Sequence, residues 1–418
     1  MSIRKLISNS DILRKVIVRT LPARLKFALG LFPVSLGKER KRLNEVLSSG
    51  SWNMSYGPTP AHLKLEKEFA EYIGSSEAVA VSGGGVGIQM SIRALGLGRE
   101  SEVLMQIDTC SAVPMAALNS QVIPRFFDAD MDTFLSNPDS VKSKIGQNTQ
   151  AVIASHLWGN SDDLKTLSNL GGNSEVVLIE DCCLALGTEF GGKKVGTTGK
   201  VGIFSFGSTK PVQAGEGGII VTDDLDLARE LRAMRNWGER TKEFGIRDVN
   251  ELSWNGRISE FSAAVAIEQV RNFPSILNTI RENVAVFDKF LKENGLNIQI
   301  NLGNSTSLSD PSFSQVVLKL NGFSEKSKAE LLQHLADCKI TAFHANFEPI
   351  STLSLFKTGD WTKWMNNPQW STKMEMEESQ YPNSFEIFRQ KGIGLSRTNF
   401  QSKYTTKRLI SALESFSA

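Results

Sequence analysis

Lys210 stands in a turn of small residues, Gly207-Ser208-Thr209-Lys210-Pro211, ahead of Gly215-Glu216-Gly217-Gly218 and the β-branched run Ile219-Ile220-Val221. Such a lysine is either a solvated turn residue or a desolvated amine whose lowered pKa makes it a nucleophile toward a carbonyl. Gly83-Gly84-Gly85-Val86-Gly87 lies between the strand-like run Ala78–Val81 and a helical stretch carrying Ile88, Met90, Ile92 and Leu95. Bare N–H groups at a helix N-terminus suit an anion, although tight turns use glycine as well. Asp181 closes the apolar run that begins at Val176. A carboxylate there either caps the next helix or keeps a pyridine nitrogen protonated. Ser205, five residues before Lys210, offers its hydroxyl to a phosphate or to the nearby backbone. An aldehyde cofactor such as pyridoxal phosphate needs an amine of this kind for its Schiff base. The four histidines (His62, His156, His334, His344) are scattered without metal-ligand spacing, so no metal site is expected.

The elements that would position these residues alternate along the chain. Short apolar runs at Ala78–Val81, Glu102–Met105, Val122–Phe127, Ala151–Ser155, Val176–Ile179, Val201–Phe204 and Gly218–Val221 are separated by helical stretches such as Leu225–Arg235. That alternation predicts an α/β fold, a sheet with helices on both faces and ligands at the carboxyl ends of its strands. A long helical stretch from Ser259 past Pro274 to Lys292 leads into a strand at Gln315–Leu320 and helices at Lys326–Asp337, Pro382–Arg389 and Lys407–Phe416. The expected division is a basic extension (1–32), a large α/β domain (33–274) and a smaller C-terminal α+β domain (275–418). Trp361–Trp370 reads as an irregular insertion.

Composition narrows the classes. The chain has 418 residues, 40% hydrophobic and 22% charged, as an ordinary globular protein does. A formal charge of +2 gives no reason to expect nucleic acid as a partner. Four cysteines without a CxxC or a disulfide framework suit a reducing cytoplasm. No apolar run approaches the roughly 18 residues of a membrane span. Residues 1–32 hold seven of the 47 basic residues and one of the 45 acidic ones, which leaves 40 and 44, a net −4, for the rest. This basic amphipathic segment packs on its own body or a partner subunit, touches an anionic membrane surface, or serves as a transit peptide.

From about Pro33 onward the order of motifs resembles the DegT/DnrJ/EryC1/StrS family of sugar aminotransferases. The resemblance is carried by Ser51-Trp52…Gly57, Leu65-Glu66…Phe69-Ala70…Tyr72-Ile73-Gly74, Ala94-Leu95-Gly96-Leu97-Gly98 and His156-Leu157-Trp158-Gly159-Asn160. It continues through Ile179-Glu180-Asp181, Gly192–Thr197, the Lys210 segment with Gly215-Glu216-Gly217-Gly218, and Asn255–Ala264.

The resemblance implies fold type I of the pyridoxal-phosphate-dependent transferases, with a mostly parallel central sheet flanked by helices. It implies a homodimer with shared active sites, and a keto-sugar, nucleotide-linked or a keto-cyclitol, aminated with glutamate or glutamine as donor. Asn255–Ala264 and Tyr381-Pro382-Asn383 resemble members acting on cyclitols or aminobenzoate precursors. Lys210 matches the Schiff-base lysine, Asp181 the partner of the pyridine nitrogen, and Ser205 the phosphate-binding serine. Gly84, Gly85 and Val86 match the phosphate loop, and Asn255 an asparagine that reaches the phosphate bound by the other subunit. Trp237, His344 and Asn346 are candidates to face substrate.

Three residues depart from the family around the cofactor ring. Gly85 replaces a threonine, Cys110 an aromatic residue that stacks on the ring, and Leu184 a glutamine near its phenolic oxygen. Losing the stack costs about 0.5–1.5 kcal/mol and the hydrogen bond roughly 1 kcal/mol more. Two other readings remain at this point. One is a dehydratase, in which the family usually has histidine at the Lys210 position; the other is a homologue of reduced activity that binds a sugar or a partner enzyme.

Overall fold

The computed structural model describes residues 38–54, 60–169, 176–241, 247–249, 251–303, 309–365 and 376–417; the basic segment 1–32 lies outside them. Strands β1 (Glu77–Val81), β2 (Glu102–Gln106), β3 (Ile123–Phe127), β4 (Thr149–Ser155), β5 (Val177–Asp181), β6 (Val201–Ser205) and β7 (Gly218–Thr222) form one sheet. Its order is β1-β7-β6-β5-β4-β2-β3. Strand β7 runs antiparallel to both neighbours, and the other pairings are parallel.

Parallel strands covered on both faces must be apolar at consecutive positions, and these are. The period of two then sorts each strand between two cores. Val79, Val81, Val103, Met105, Ile153, Ile179, Ile203 and Ile220 pack with helices α1 (Gly84–Ala94), α2 (Ala112–Asn119) and α3 (Leu225–Arg235). Ala78, Ala80, Leu104, Val152, Leu178 and Ile219 face the opposite way, onto Leu65, Phe69 and Ile73 and onto the first half of α4 (Glu260–Glu293).

Helix α4 runs unbroken through the stretch expected from Ser259 to Lys292, with Ser259 as N-cap accepting the Ser262 N–H at 3.1 Å. Pro274 sits inside it, where proline ordinarily costs about 3 kcal/mol. Near this point the helix passes from one core to another. Ala263 to Phe273 belong to the central sheet, whereas Ile276, Ile280, Val284, Phe287 and Leu291 pack on a second, antiparallel sheet. That sheet has the order β8-β9-β11-β10, built from β8 (Ile298–Ile300), β9 (Gln315–Leu320), β10 (Ala342–His344) and β11 (Gly392–Ser396). Helices α5 (Glu325–Asp337) and α6 (Lys403–Ser417) cover it.

The tryptophan-rich stretch behaves differently from an insertion where it is described. Ile350, Phe356, Trp361, Met365, Tyr381 and Phe385 join the core of the central sheet, and Trp361 is buried. The segment expected as one helix from Pro382 to Arg389 is a short α-helix, Pro382–Glu386, that continues as a π-helical turn. Among the described residues no helix is long and apolar enough to cross a membrane.

Candidate active site

A cavity of about 540 Å³ opens at the carboxyl ends of β1, β2, β4, β5 and β6. Each strand delivers its contribution in the loop that follows it. Gly84, Gly85 and Val86 come after β1, Cys110 after β2, Leu157 after β4, Asp181, Cys183 and Leu184 at the end of β5, and Ser205 and Lys210 at and after β6. Eight positions singled out from the sequence therefore share one wall: Gly84, Gly85, Val86, Cys110, Asp181, Leu184, Ser205 and Lys210.

The glycine loop is shaped by close approach. A Cβ on Gly84 would lie 2.6 Å from Cys183 Sγ and 2.9 Å from Ser205 Cβ, so only glycine fits between α1 and the β5–β6 loops. Gly218 in β7 is similarly crowded, its would-be Cβ 2.7 Å from the Gly83 carbonyl carbon. Gly85 is different, because a Cβ there would meet Ala112 Cβ at 3.7 Å, an ordinary contact. The helix begins at Gly84, so the unpaired N–H groups of its first turn open on the cavity. Ser205 Oγ lies beside them and accepts the Gly207 N–H at 3.3 Å.

Asp181 is buried and takes the Cys183 N–H on Oδ1 at 3.1 Å. The Lys210 backbone N–H donates to the Gly207 carbonyl at 3.1 Å, which closes the turn. Its amine, half-buried in the cavity wall, has no hydrogen-bond or ion-pair partner among the described residues. The Cys183 thiol is pushed well up, first by burial and then by the Asp181 charge, so it stays protonated and inert.

Behind β5, Glu180 organises the next loop. Its Oε1 accepts from Thr198 and Gly199 at 2.8 and 2.6 Å, and its Oε2 from Gly196 at 2.7 Å and from His156 Nε2 at 3.0 Å. Burial alone would raise its pKa, but the His156 hydrogen bond and these N–H groups outweigh that and hold it low. His156 Nδ1 receives the Asp162 N–H at 3.1 Å, which fixes the ring. His156, Glu180 and Cys182 lie close enough to suggest a metal site. Every oxygen lone pair of Glu180 that faces inward is already used by the protein, so the group is structural.

Four expected residues lie elsewhere. Asn255 is exposed, its Oδ1 accepting the Arg257 N–H at 3.2 Å, and it is not in the cavity wall of this chain. Trp237 is half exposed in a left-handed conformation (φ 65°), with the Arg257 guanidinium 5.8 Å above its ring. His344 is exposed, stacks on Phe388 at 4.6 Å and shares Nδ1 with the Phe388 carbonyl at 3.1 Å. Asn346 is buried, with both ends of its amide bonded inside the protein, so it does not face substrate from this position. The sequence reading missed its neighbour, Phe347, which does line the cavity. An isolated loop phenylalanine gives no periodic signal that could have marked it.

The departures now have surroundings. Leu184 joins an apolar cluster with Leu157, Trp158, Val317 and Ala345, in which a glutamine would have lost its partners. Cys110 lines the cavity with a small side chain, and a Cβ at Gly85 would make only an ordinary contact. The glycine cradle, the partnerless amine and Asp181 nonetheless form a coherent set for a phosphorylated pyridine aldehyde.

The model of the DegT/DnrJ/EryC1/StrS aminotransferase family matches residues 35–376. The chain is 33% identical over 276 residues to the L-glutamine:2-deoxy-scyllo-inosose aminotransferase of Streptomyces kanamyceticus, a match covering 63% of this chain and 65% of that enzyme. It therefore spans just under two thirds of that relative's length. Against the GDP-perosamine synthase of Escherichia coli O157:H7 it is 28% identical over 324 residues, 78% of this chain and 85% of that one. The aminotransferase of Psychrobacter cryohalolentis superposes with a TM-score of 0.81 at 21% identity, over 92% of this chain and 98% of that one, which shows a shared fold. With a family match over most of its length, the chain belongs to the DegT/DnrJ/EryC1/StrS aminotransferase family.

Proposed function

We propose that this protein is a pyridoxal-phosphate-dependent aminotransferase that converts a keto-sugar or keto-cyclitol to the amino compound, with glutamine or glutamate as donor. The observation that carries this reading is the partnerless Lys210 amine sharing one cavity with Asp181 and the Gly84–Ser205 cradle. When bound, pyridoxal phosphate supplies an electron sink and a carrier for the amino group. The N–H groups of Gly84, Gly85 and Val86 and the Ser205 hydroxyl would hold its phosphate at the head of α1. Asp181, buried at the end of β5, would keep the ring nitrogen protonated. The Lys210 amine would take the α-proton of the donor amino acid and return a proton to the same position in the reverse direction with the acceptor. The apolar wall around Leu184 excludes water from these transfers.

The printed names of the relatives, a glutamine-dependent aminotransferase acting on 2-deoxy-scyllo-inosose and a GDP-perosamine synthase, support a keto-ring acceptor. A homodimer follows from the same reading, with exposed Asn255 reaching the partner's phosphate site from a surface that also exposes Trp237, Val249 and Leu252. Adding pyridoxal phosphate to the apoprotein should give a visible absorption band, and L-glutamine or L-glutamate should bleach it. Lys210→Ala should lose the covalent band and all turnover. A protein that stays colourless with the cofactor would overturn this reading in favour of a binding role.

A further inference from the structure

Two residues of the cavity wall, Phe347 and Leu157, are not accounted for by the groups just described. Phe347, Leu157 and Leu184 line the cavity and belong to one apolar cluster with Trp158. Phe347 stacks on Trp158 with ring centroids 5.0 Å apart and planes 23° from parallel. Trp158 is itself held in a left-handed backbone conformation, φ 62°, which a bulky residue keeps only when its surroundings impose it.

Those surroundings are a buried polar chain. Trp158 Nε1 donates to Asn346 Oδ1 at 3.0 Å. Asn346 Nδ2 donates to Asp108 Oδ2 at 2.7 Å and to the Phe134 carbonyl at 3.1 Å, and Gln106 Nε2 donates to Asp108 Oδ1 at 2.8 Å. Asn346 immediately precedes Phe347, so the network fixes both the ring beneath Phe347 and the backbone that carries it. Within it the Asn346 amide uses its oxygen and both N–H groups, and buried bonds of this kind rigidify what they hold; only Gln106 Oε1, at the far end of the chain, has no partner among the described residues. The structure thus spends four directed bonds on placing one half-buried aromatic face in the cavity.

We propose that Phe347, braced by Trp158 and Asn346, is the specificity-determining residue for the carbonyl acceptor: with Leu157 and Leu184 it receives the hydroxyl-free edge of a saturated keto ring. This rests on the aminotransferase reading above. None of these three side chains has a hydrogen-bonding group, so a ring hydroxyl turned toward them is buried without a partner. The acceptor is therefore a ring with a deoxygenated carbon at that edge. An apolar wall discriminates against an added hydroxyl by about a hundredfold at most.

The test uses the holoenzyme in two separate stages. L-Glutamine or L-glutamate alone first reports the donor half-reaction as bleaching of the cofactor band. Recovery of the band is then followed with 2-deoxy-scyllo-inosose and with its counterpart bearing a hydroxyl on the deoxy carbon. The expected result is a preference of about 10- to 100-fold in kcat/KM for the deoxy ring. Phe347→Ala should erase the preference and raise KM for the deoxy ring with little change in kcat, while donor bleaching and cofactor affinity stay as in the wild type. Phe347→Tyr should restore the low KM, and Phe347→Leu, which keeps an apolar side chain, should fall between them. A wild type that bleaches with donor yet accepts neither ring, or shows no preference, overturns the inference. An unchanged acceptor KM in Phe347→Ala overturns it too, as does weakened cofactor binding, which would place Phe347 against the cofactor. If the wild type does not bleach with either donor, the aminotransferase reading itself has failed and takes this inference with it.

Discussion

Replacing Gly84 with alanine tests whether the glycine loop is shaped for the cofactor or is merely a turn. The added Cβ would sit 2.6 Å from Cys183 Sγ and 2.9 Å from Ser205 Cβ, where carbon–carbon contacts are normally about 3.5–4.0 Å. Both neighbours belong to the proposed cofactor site. The Cys183 N–H is bonded to Asp181 Oδ1, so pushing Cys183 away also displaces the carboxylate meant for the ring nitrogen. Overpacking of this sort costs about 1–3 kcal/mol, or roughly 5- to 150-fold in affinity if it falls on binding. Gly85→Ala is the control one residue away. Its Cβ meets only Ala112 Cβ at 3.7 Å, and alanine in a helix is favoured over glycine by about 0.5–1 kcal/mol. Cofactor dissociation constants from titration of the visible band, with melting temperatures of the apoproteins, separate binding from folding. Gly84→Ala should lose affinity and Gly85→Ala should keep it with a slightly raised melting temperature. Adding Cys183→Ala to Gly84→Ala removes the nearer clash and should recover part of the loss. Equal affinities for the two single variants would refute the steric argument.

Three further outcomes are expected. Cys110→Phe should restore a stacking face and tighten cofactor binding by about 0.5–1.5 kcal/mol, up to about tenfold, measured by the same titration. Asp108, whose pKa burial raises to about 6 against the hydrogen bonds from Asn346 and Gln106, should leave a pH signature in stability. Its native pKa lies above the ordinary value of 3.8, so the folded state gains on the unfolded one as pH falls from above 6 toward 4. Denaturant melts should show wild type gaining about 3 kcal/mol on Asp108→Asn across that window, and a flat difference would count against the assignment. Glu180→Gln should cost about 3 kcal/mol or more in stability, because a fully buried acceptor of three N–H groups becomes in part a donor, and an unaltered melting temperature would contradict this.

Much of the fold was legible because local chemistry and tertiary role coincide in it. The seven apolar runs became the seven strands of the central sheet, since strands covered on both faces are apolar at most consecutive positions. The helix across Pro274 was readable from its apolar spacing, but its change of core at that point was not, because both cores ask for the same residue types. The stretch Trp361–Trp370, read as an insertion, misled for a related reason where it is described. Trp361 looks irregular in sequence, and its place in the core of the central sheet comes from residues distant in the chain.

The site divides along the same line. The types and order of residues alone determined the lysine turn, the glycine loop, Asp181 and Ser205, since each follows its own strand and strand ends converge in any sheet of this kind. Only the tertiary structure decided which glycine is obligatory, because Gly84 and Gly85 are alike in sequence and differ solely in what β5 and β6 bring beside them. It also exchanged Asn346 for Phe347 as the residue that reaches the cavity. That exchange turns on Asp108 and Trp158, each nearly two hundred residues or more away, whose hydrogen bonds to Asn346 exist only once the two sheets have docked.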